Sequence, residues 1–447
     1  MTEYKNIIIG FGKGGKTLAG FLAKQGESVA LIEKSNQMYG GTCINVACIP
    51  TKTLEYSARL ASHIKQANES EYYEMAVNNK NAFIEKLRGK NYNKVASSGA
   101  TIIDALASFE SDREVKLTYL DGSSEVIKGE RIFINTGSSP FIPPIEGLKD
   151  NESVYFSETM LANSKLPKKL VIIGGGYIGL EFASMYTNFG SLVTVIQDGD
   201  KFIPREDGEV AQAVLASFEK RGIKVLKSTK ILKLDKNKVY IEKEGKQEVL
   251  TSDAILVATG RRPNVKPLQV ERAGLELTER GAIKTNEHLQ TNKENIFAMG
   301  DVVGGLQFTY ISLDDFRIVK DYLYGKGERT TLNRGVVPYT VFLDPPLSRV
   351  GLSEEEAVAK GYEVELKRLV AANIPKANVL KQSEGLLKAI VDKKTGLILG
   401  AHLFCVESQE MINIVKLAID AKLPYTVLRD QIYNHPTMSE ALNDLFA

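Results

Sequence analysis

The chain has 447 residues, 43% of them hydrophobic and 25% charged, with a formal net charge of +2. This length predicts about three domains, and the balanced charge without a dense basic cluster argues against a nucleic-acid partner. No apolar run approaches the roughly 18 residues that would span a membrane. A strand begins within the first ten residues, which leaves no room for a signal peptide, and only three cysteines are present. We therefore expect a cytoplasmic globular protein.

The first element is a dinucleotide-binding fingerprint. An apolar strand of three isoleucines leads into a glycine-rich turn and then a helical stretch, with glycines at Gly10, Gly12, Gly14 and Gly15. In such a unit Gly10 makes the tight turn, Gly12 admits a pyrophosphate, and Gly15 lets helix and strand pack closely. The pyrophosphate is bound at the helix N-terminus. A second strand ends at Glu33, at the right distance to accept hydrogen bonds from an adenosine ribose.

A pair of cysteines follows that second strand. Cys43 and Cys48 stand five positions apart within residues 40–52, between a Gly-Gly pair and a proline. This is neither a zinc spacing nor a structural crosslink pattern, and it predicts a redox-active pair. In a regular helix their Cα atoms would be roughly 8–9 Å apart, beyond the limit of about 7 Å for a disulfide.

We therefore expect Cys43 in an irregular turn supplied by Gly40 and Gly41. Cys48 should lie in or near a first helical turn, where free N–H groups and the helix dipole favour a thiolate. The alternative is a pair of buried thiols that pack as small apolar side chains. That alternative is the weaker one, because the rest of the chain supplies an electron source.

A second copy of the fingerprint begins at residue 170. An apolar strand leads into Gly174, Gly176 and Gly179, a helix follows, and a strand spans residues 192–196. Two fingerprints in one chain predict two dinucleotides, and we assign FAD to the first and a nicotinamide nucleotide to the second.

The second copy departs from the usual pattern at Gln197, where its second strand ends. A carboxylate at this position would bind a 2′-hydroxyl and repel a 2′-phosphate, and glutamine does neither strongly. Asp198 is one position out of register, and Lys201 and Arg205 are the nearest cations. The sequence therefore leaves the choice between NADH and NADPH open.

Three further strand ends favour a two-dinucleotide flavoprotein. Two strands end in Thr-Gly, at residues 136–137 and 259–260, and each closes a Rossmann unit. A third strand ends in Gly300 and Asp301, where a carboxylate can bind the hydroxylated ribityl chain of a flavin.

Together these motifs resemble the pyridine nucleotide–disulfide oxidoreductases, the group of glutathione reductase, dihydrolipoamide dehydrogenase and mercuric reductase, over essentially the whole chain. Residues 433–440 are similar to that group's His-Pro-Thr-x-x-Glu signature. Four segments look closest to the reactive-chlorine-resistance flavoenzymes, also described as hypothiocyanous acid reductases: residues 10–13, 38–43, 305–315 and 345–351. Ala47 departs from the pattern, because a glycine usually precedes the second cysteine.

The resemblance implies a homodimer with a shared active site and an electron path through it. The nicotinamide delivers hydride to FAD on one face, and the reduced flavin reduces the Cys43–Cys48 disulfide on the other. Cys48 would be the flavin-proximal thiolate, and Cys43 the exchange thiol that attacks the oxidant. His435, brought from the second subunit, would be the acid–base, and Glu440 would orient its imidazole.

The resemblance also assigns the remaining site residues. Lys52 and Glu181 match an ion pair beside the flavin, and Tyr177 matches a tyrosine that gates the nicotinamide pocket. We assign to FAD the residues Gly10, Gly12, Gly14, Gly15, Glu33, Gly41, Thr42, Lys52, Ala107, Thr136, Gly137, Asp301, Phe308 and Thr309. We assign to NAD(P)H the residues Gly174, Gly176, Tyr177, Ile178, Gly179, Glu181, Gln197 and Gly260. We predict no metal site.

The expected substrate is a small electrophilic oxidant. The chain carries no C-terminal cysteine pair, which argues against a large thioredoxin reductase and against mercuric reductase. Hypothiocyanous acid or a related chlorine-derived species fits this minimal site. We expect the protein to reduce it in defence against oxidative stress. The alternatives are a conventional reductase of glutathione disulfide or lipoamide, a protein that binds or reduces a soft metal ion such as copper or mercury, and a flavin-binding redox sensor.

The predicted architecture is an α/β fold of two Rossmann-type dinucleotide-binding domains and a C-terminal α+β dimerisation domain. The FAD domain is 1–149 completed by 266–333, the NAD(P)H domain is 150–265, and the dimerisation domain is 334–447. Charged stretches at 64–92 and 235–250 predict an exposed helical region and a hairpin. We expect Cys405 to be a buried core thiol, and His63, His288 and His402 to be structural.

Overall fold

Two Rossmann-type sheets of mainly parallel strands and a third, five-stranded antiparallel sheet organise the described residues, and two smaller antiparallel sheets accompany them. The computed structural model in which they are seen describes residues 1–63 and 68–447. The predicted fold class is confirmed, with two dinucleotide-binding folds followed by a C-terminal α+β region. Among the helices of the described residues, none combines the length and the apolar character needed to cross a membrane.

The strands in chain order are β1 (Thr2–Ile9), β2 (Val29–Glu33), β3 (Thr101–Asp104), β4 (Leu106–Phe109), β5 (Glu114–Thr118), β6 (Ser124–Ile134), β7 (Ser138–Pro140), β8 (Val154–Phe156), β9 (Lys169–Ile173), β10 (Leu192–Ile196), β11 (Lys224–Leu226), β12 (Thr229–Asp235), β13 (Lys238–Lys243), β14 (Lys246–Thr251), β15 (Ala254–Val257), β16 (Arg261–Pro263), β17 (Ile296–Ala298), β18 (Tyr339–Val341), β19 (Leu347–Gly351), β20 (Val364–Val370), β21 (Leu386–Asp392) and β22 (Ile398–Phe404).

The α-helices in chain order are α1 (Lys13–Lys24), α2 (Thr42–Asn45), α3 (Cys48–His63), α4 (Glu69–Ala96), α5 (Ser157–Ala162), α6 (Tyr177–Asn188), α7 (Gly208–Lys220), α8 (Thr309–Tyr324), α9 (Glu354–Ala359), α10 (Pro375–Val379), α11 (Ser408–Asp420), α12 (Tyr425–Asp430) and α13 (Ala441–Leu445).

The first sheet has the order β3–β2–β1–β6–β5–β4, and β17 also pairs with β6. The parallel strands are β1, β2, β3, β6 and β17. Strands β5 and β4 extend the sheet at one side and pair in the antiparallel direction. The isoleucines of β1 and all of β2 are buried, as expected for parallel strands covered on both faces. The carboxyl ends of β1, β6 and β17 therefore meet at one edge of the sheet, where the first fingerprint lies.

The second sheet repeats this arrangement with the order β11–β10–β9–β15–β8, all parallel. An antiparallel sheet of β12, β13 and β14 lies beside it, and the short pair β7 and β16 joins the segments that connect the two halves. The third sheet is antiparallel, with the order β18–β19–β22–β21–β20. Helix α11 packs on β19 and β22, so that the C-terminal region has its own apolar core.

The structure also tests the predictions for the charged stretches and the minor residues. Helix α4 is mostly exposed and β13–β14 form a hairpin, as predicted, although residues 64–67 of the first stretch lie outside the described residues. Cys405 is fully buried in the C-terminal core, which confirms the prediction. His402 is also fully buried, in β22.

Candidate active site

One continuous cleft of about 3200 Å³ connects the two fingerprints and the cysteine pair. Its walls include the FAD-assigned residues Gly10, Gly12, Glu33, Gly41, Thr42, Lys52, Ala107, Thr136, Gly137, Asp301, Phe308 and Thr309. They also include Cys43 and Cys48 and the NAD(P)H-assigned residues Gly174, Gly176, Tyr177, Ile178, Glu181, Gln197 and Gly260. The predicted residues outside these walls are Gly14, Gly15, Gly179, His435 and Glu440.

The first fingerprint forms a cradle that only glycine fits. Gly10 has φ +103°, and a Cβ there would lie 2.4 Å from the carbonyl oxygen of Asn135. A Cβ on Gly12 would lie 2.3 Å from Asn135 Oδ1. The cradle opens at the start of α1, where a helix presents N–H groups without intrahelical partners. These features fit the pyrophosphate of a dinucleotide such as FAD.

Gly14 and Gly15 do not line the cleft but pack against neighbouring residues. Their N–H groups donate to Ser312 Oγ at 3.0 Å and to Asn135 Oδ1 at 2.9 Å. A Cβ on Gly15 would lie 2.5 Å from the carbonyl oxygen of Gly10. Sequence analysis overlooked Asn135, whose amide also donates to the Met299 carbonyl at 2.7 Å. The available signal was an asparagine at the end of a buried strand, directly before the Thr-Gly pair.

The cradle leads to a first prediction, on Gly12→Ala. Asn135 is held by hydrogen bonds at both ends of its amide, so it has no room to retreat from an added methyl group. We expect Gly12→Ala to purify with little bound FAD, which is measured as flavin absorbance per chain.

Gly20→Ala is the matched control, because Gly20 lies within α1, the helix that Gly12 caps, and its Cβ would meet Ser98 at an ordinary 3.8 Å. Gly20→Ala should retain FAD and gain up to about 1 kcal/mol in free energy of unfolding. A full flavin complement in Gly12→Ala would contradict the assignment of this cradle to FAD.

Glu33 ends β2 within the cleft, as predicted, and is 8% exposed. Its Oε2 accepts a hydrogen bond from the Phe11 N–H at 3.0 Å. Burial raises the pKa of Glu33, and that hydrogen bond opposes the rise. Asp301 lies on the opposite side of the fingerprint and accepts a hydrogen bond from Ser138 Oγ at 2.8 Å.

The local structure of the cysteine pair differs from the prediction in one respect. Cys43 is not in an irregular turn, because Gly41, with φ +80°, is the N-cap of the short helix α2, and the chain is helical from Thr42. Helix α2 ends at Asn45, since Val46 has φ −140°. Helix α3 then begins at Cys48, as predicted. The two cysteines therefore lie in separate helices joined by a break, and both are free thiols facing the cleft.

The two thiols have opposite acidities. The neighbouring Cys43 lowers the pKa of Cys48 to about 6, helped by Thr309 and by the charge of Lys52 against the effect of burial. The neighbouring Cys48, followed by burial, raises the pKa of Cys43 well above its usual range. Thr309 Oγ1 lies 3.7 Å from Cys48 Sγ. Cys48 is therefore the more acidic thiol of the pair.

This arrangement leads to a second prediction, on the pH dependence of Cys48. Because its pKa is lowered, the Cys48 thiolate should persist at neutral pH and be lost only as the pH falls through about 6. Thr309→Val removes a group that lowers this pKa, so the loss should occur at a higher pH. The measurement is the rate of iodoacetamide alkylation of the reduced protein against pH, with Cys48 identified by mass spectrometry. An unchanged profile in Thr309→Val would contradict the role of this hydroxyl.

An ion pair connects the dithiol helix to the second fingerprint. Lys52 Nζ on α3 lies 2.6 Å from Glu181 Oε2 on α6, and these two residues are the ion pair that the family resemblance implied. Glu181 Oε1 accepts a hydrogen bond from the Phe342 N–H at 2.9 Å, and Lys52 Nζ lies 4.5 Å from the centroid of the Phe342 ring. Sequence analysis overlooked Phe342, which brings the C-terminal region into the site.

The second fingerprint repeats the glycine geometry of the first. Gly174 has φ +114°, and its Cβ would lie 2.5 Å from the carbonyl oxygen of Ala258. A Cβ on Gly179 would lie 2.1 Å from the carbonyl oxygen of Gly174, so Gly179 allows close packing of helix and strand. These features fit a second dinucleotide.

Gln197 stabilises the loop that follows β10. Its Nε2 donates to the carbonyl oxygens of Gly199 and Lys201, both at 2.9 Å. Lys201 and Arg205 also line the cleft. The geometry leaves NADH and NADPH open, as the sequence did.

His435 and Glu440 form a pair away from the cleft of their own chain. His435 Nδ1 lies 2.8 Å from Glu440 Oε2, and the His435 side chain is 67% exposed. The carboxylate thus orients an imidazole that is largely exposed. Within residues 1–63 and 68–447, no three His, Cys, Asp or Glu side chains are grouped so as to hold a metal ion.

Comparisons with known proteins agree with this geometry. Residues 4–315 match the family model described as pyridine nucleotide-disulphide oxidoreductase, and residues 337–446 match the dimerisation domain of the same name. The probable pyridine nucleotide-disulfide oxidoreductase RclA of Escherichia coli is 47% identical over 448 residues, which cover 100% of this chain and 99% of that protein. A mercuric reductase of Staphylococcus aureus is 30% identical, with 98% of this chain and 81% of that protein covered.

A solved structure is similar over the same length. It is described as the Cu(II) complex of the HOCl-induced flavoprotein disulfide reductase RclA from Escherichia coli. The match has a TM-score of 0.94 and 47% identity, and it covers 100% of this chain and 99% of that one.

Proposed function

The chain belongs to the pyridine nucleotide-disulphide oxidoreductase family, and we propose on that premise that it passes two electrons from NAD(P)H through Cys43 and Cys48 to a small electrophilic oxidant. The proposed oxidant is hypothiocyanous acid or a related reactive chlorine species. The observation that carries the proposal is a pair of free thiols in one cleft with two dinucleotide fingerprints. The 47% identity to a reductase described as HOCl-induced supports this substrate class.

The cofactors are FAD and NAD(P)H. FAD, when bound, supplies the two-electron relay between the nicotinamide and the dithiol. The first fingerprint would hold its pyrophosphate, Glu33 its adenosine ribose and Asp301 its ribityl chain. Lys52 would place a positive charge beside the flavin, where Glu181 holds the lysine at 2.6 Å.

Cys43 is the thiol that meets the oxidant. Its sulfur attacks the sulfur of hypothiocyanous acid, a bond forms between Cys43 and the SCN group, and hydroxide leaves. The Cys48 thiolate then attacks the Cys43 sulfur, the disulfide forms, and thiocyanate leaves. The two cysteine sulfurs lose two electrons and the oxidant gains them. The lowered pKa of Cys48 keeps this second nucleophile ionised at neutral pH.

His435 of the partner subunit is the proposed acid–base. It takes the Cys43 proton as the sulfur attacks and gives it to the departing hydroxide, which becomes water. Glu440 fixes the ring orientation through Nδ1. The exposed position of the pair and the dimerisation domain at 337–446 support a homodimer with a shared site. We propose a cytoplasmic location.

A panel of electron acceptors tests the proposal. NAD(P)H consumption is measured after addition of hypothiocyanous acid, hypochlorous acid, glutathione disulfide, lipoamide or Cu(II). Turnover with hypothiocyanous acid that exceeds the turnover with both disulfides supports the proposal. Preferential turnover of glutathione disulfide or lipoamide would instead make the protein a conventional disulfide reductase.

A second candidate function is the reduction of a soft metal ion. It is favoured by the similar structure described as a Cu(II) complex and by the mercuric reductase among the relatives. Thiolate and imidazole are suitable ligands for copper, and Cys43, Cys48 and His435 of the partner subunit would supply them. Cu(II)-dependent NAD(P)H oxidation that is lost in Cys43→Ser would favour this function.

A further inference from the structure

A buried carboxylate lies behind the predicted nicotinamide gate. Glu206 is 6% exposed, and its Oε1 accepts hydrogen bonds from the hydroxyls of Tyr177 at 2.5 Å and Tyr339 at 2.6 Å. Its Oε2 lies 3.6 Å from Nδ1 of the fully buried His402. Burial alone would raise the pKa of Glu206, but the nearby His402 and the hydrogen bonds from Tyr177 and Tyr339 keep it below its usual range. The carboxylate is therefore an ionised acceptor shared by two tyrosines.

The tyrosines come from different parts of the chain. Tyr177 is the first residue of α6 in the second Rossmann fold, whereas Tyr339 and His402 lie on β18 and β22 of the C-terminal sheet. The neighbouring residue, Asp207, binds the buried Lys388 of β21 at 2.9 Å. Two consecutive acidic residues thus attach the nucleotide fold to the C-terminal region, so the acceptor has a fixed position.

An aromatic row extends from the gate toward the dithiol. The rings of Tyr177 and Tyr339 have centroids 5.7 Å apart, Tyr339 stacks on Phe308 at 5.8 Å, and Phe308 stacks on Tyr310 at 5.1 Å. Thr309, between the last two, contacts Cys48. The four rings form one wall of the cleft, with Tyr177 at the second fingerprint and Tyr310 toward the dithiol.

We propose that Glu206 is a positioning residue for the nicotinamide pocket, which with Tyr339 latches Tyr177 in the closed position. The inference rests on the proposed function only in placing the nicotinamide at Tyr177. Movement of the Tyr177 ring away from the wall breaks a hydrogen bond to a charged acceptor, the stronger class of protein hydrogen bond. Binding of the nucleotide must break this hydrogen bond, so the latch lowers the net affinity for the nucleotide. The C-terminal region, which carries Tyr339, thereby controls access to the pocket.

The test is a mutant cycle on nucleotide binding, measured by calorimetry as the Kd of NAD⁺ and NADP⁺. Glu206→Gln keeps the shape but replaces a charged acceptor with a neutral one, and Tyr339→Phe removes the second donor. We expect Glu206→Gln to lower the Kd about fivefold and Tyr177→Phe about tenfold. Glu206→Gln should add nothing in the Tyr177→Phe background, because the latch is already lost.

Tyr186→Phe is the matched control. Tyr186 lies on the same helix, and its hydroxyl bonds to Tyr73 at 2.7 Å without contact to the gate, so its Kd should equal that of the wild type. An unchanged or raised Kd in Glu206→Gln and Tyr339→Phe would overturn the proposal, as would an effect that persists in the Tyr177→Phe background. Oxidation of the prereduced dithiol should be equal in the wild type and Tyr186→Phe. If the proposed oxidant is wrong, only the rate of dithiol oxidation will show it, and the Kd values for the nucleotides will not.

Discussion

Replacement of Cys43 with serine is expected to lower NAD(P)H-dependent turnover of hypothiocyanous acid at least about 1,000-fold. A serine hydroxyl is not ionised at neutral pH and cannot form the disulfide with Cys48, so both thiol steps are lost. The Kd for nucleotide should stay unchanged, because the second fingerprint contains neither cysteine. The measurement is steady-state NAD(P)H consumption together with calorimetric nucleotide binding.

Cys405→Ala is the control for general effects of cysteine loss. Cys405 is fully buried in the C-terminal core, away from the cleft. This variant should keep full turnover while its melting temperature falls, because a buried side chain loses packing contacts. Turnover of Cys43→Ser within a fewfold of that of Cys405→Ala would contradict the assignment of Cys43 as the exchange thiol.

His435→Gln is expected to lower turnover of the oxidant by about 10²–10⁴-fold, the usual contribution of a general acid–base. Cys43 carries a raised pKa in its own chain, so it depends on a base to release its proton. Glu440→Gln should have a smaller effect of the same sign, because the imidazole remains but its orienting charge is lost. Steady-state rates across pH measure both effects.

Hybrid dimers test whether the site is shared. A dimer of one Cys43→Ser chain and one His435→Gln chain contains one intact site if Cys43 works with His435 of the partner subunit. We expect such hybrids, isolated with two different affinity tags, to recover about half of the wild-type rate, since one of two sites is complete. A hybrid as inactive as its parents would place both residues in one subunit's site.

The strands that matter for the fold could be predicted because their apolar runs are bounded by glycine and polar residues. Strand β10 spans residues 192–196 as predicted, and β2 ends at Glu33 as predicted. The two fingerprints are local patterns, so their glycines could be assigned from spacing alone. Lys52 and Glu181 are 129 positions apart in the sequence. Their ion pair could therefore be predicted only from the family resemblance.

Other features depend on contacts that no local pattern carries. Cys43 lies in a short helix because Gly41 adopts a positive φ as its cap, a backbone choice that a Gly-Gly pair allows but does not specify. In the sequence, Glu206 is an acidic residue in a polar loop. In the fold it is a buried acceptor, because Tyr339 and His402 of the C-terminal sheet pack against it. Sequence patterns predict solvent exposure for such a residue.

The most direct test of the proposed electron path is an anaerobic titration of the NAD(P)H-reduced protein with hypothiocyanous acid. We expect HOSCN and NAD(P)H to yield SCN⁻, H₂O and NAD(P)⁺ in equal amounts. We also expect the nucleotide-exhausted protein to contain a Cys43–Cys48 disulfide, identified as a linked peptide by mass spectrometry. Consumption of the oxidant without thiocyanate release in that ratio, or with the two cysteines still reduced, would contradict a dithiol that carries electrons from NAD(P)H to the oxidant.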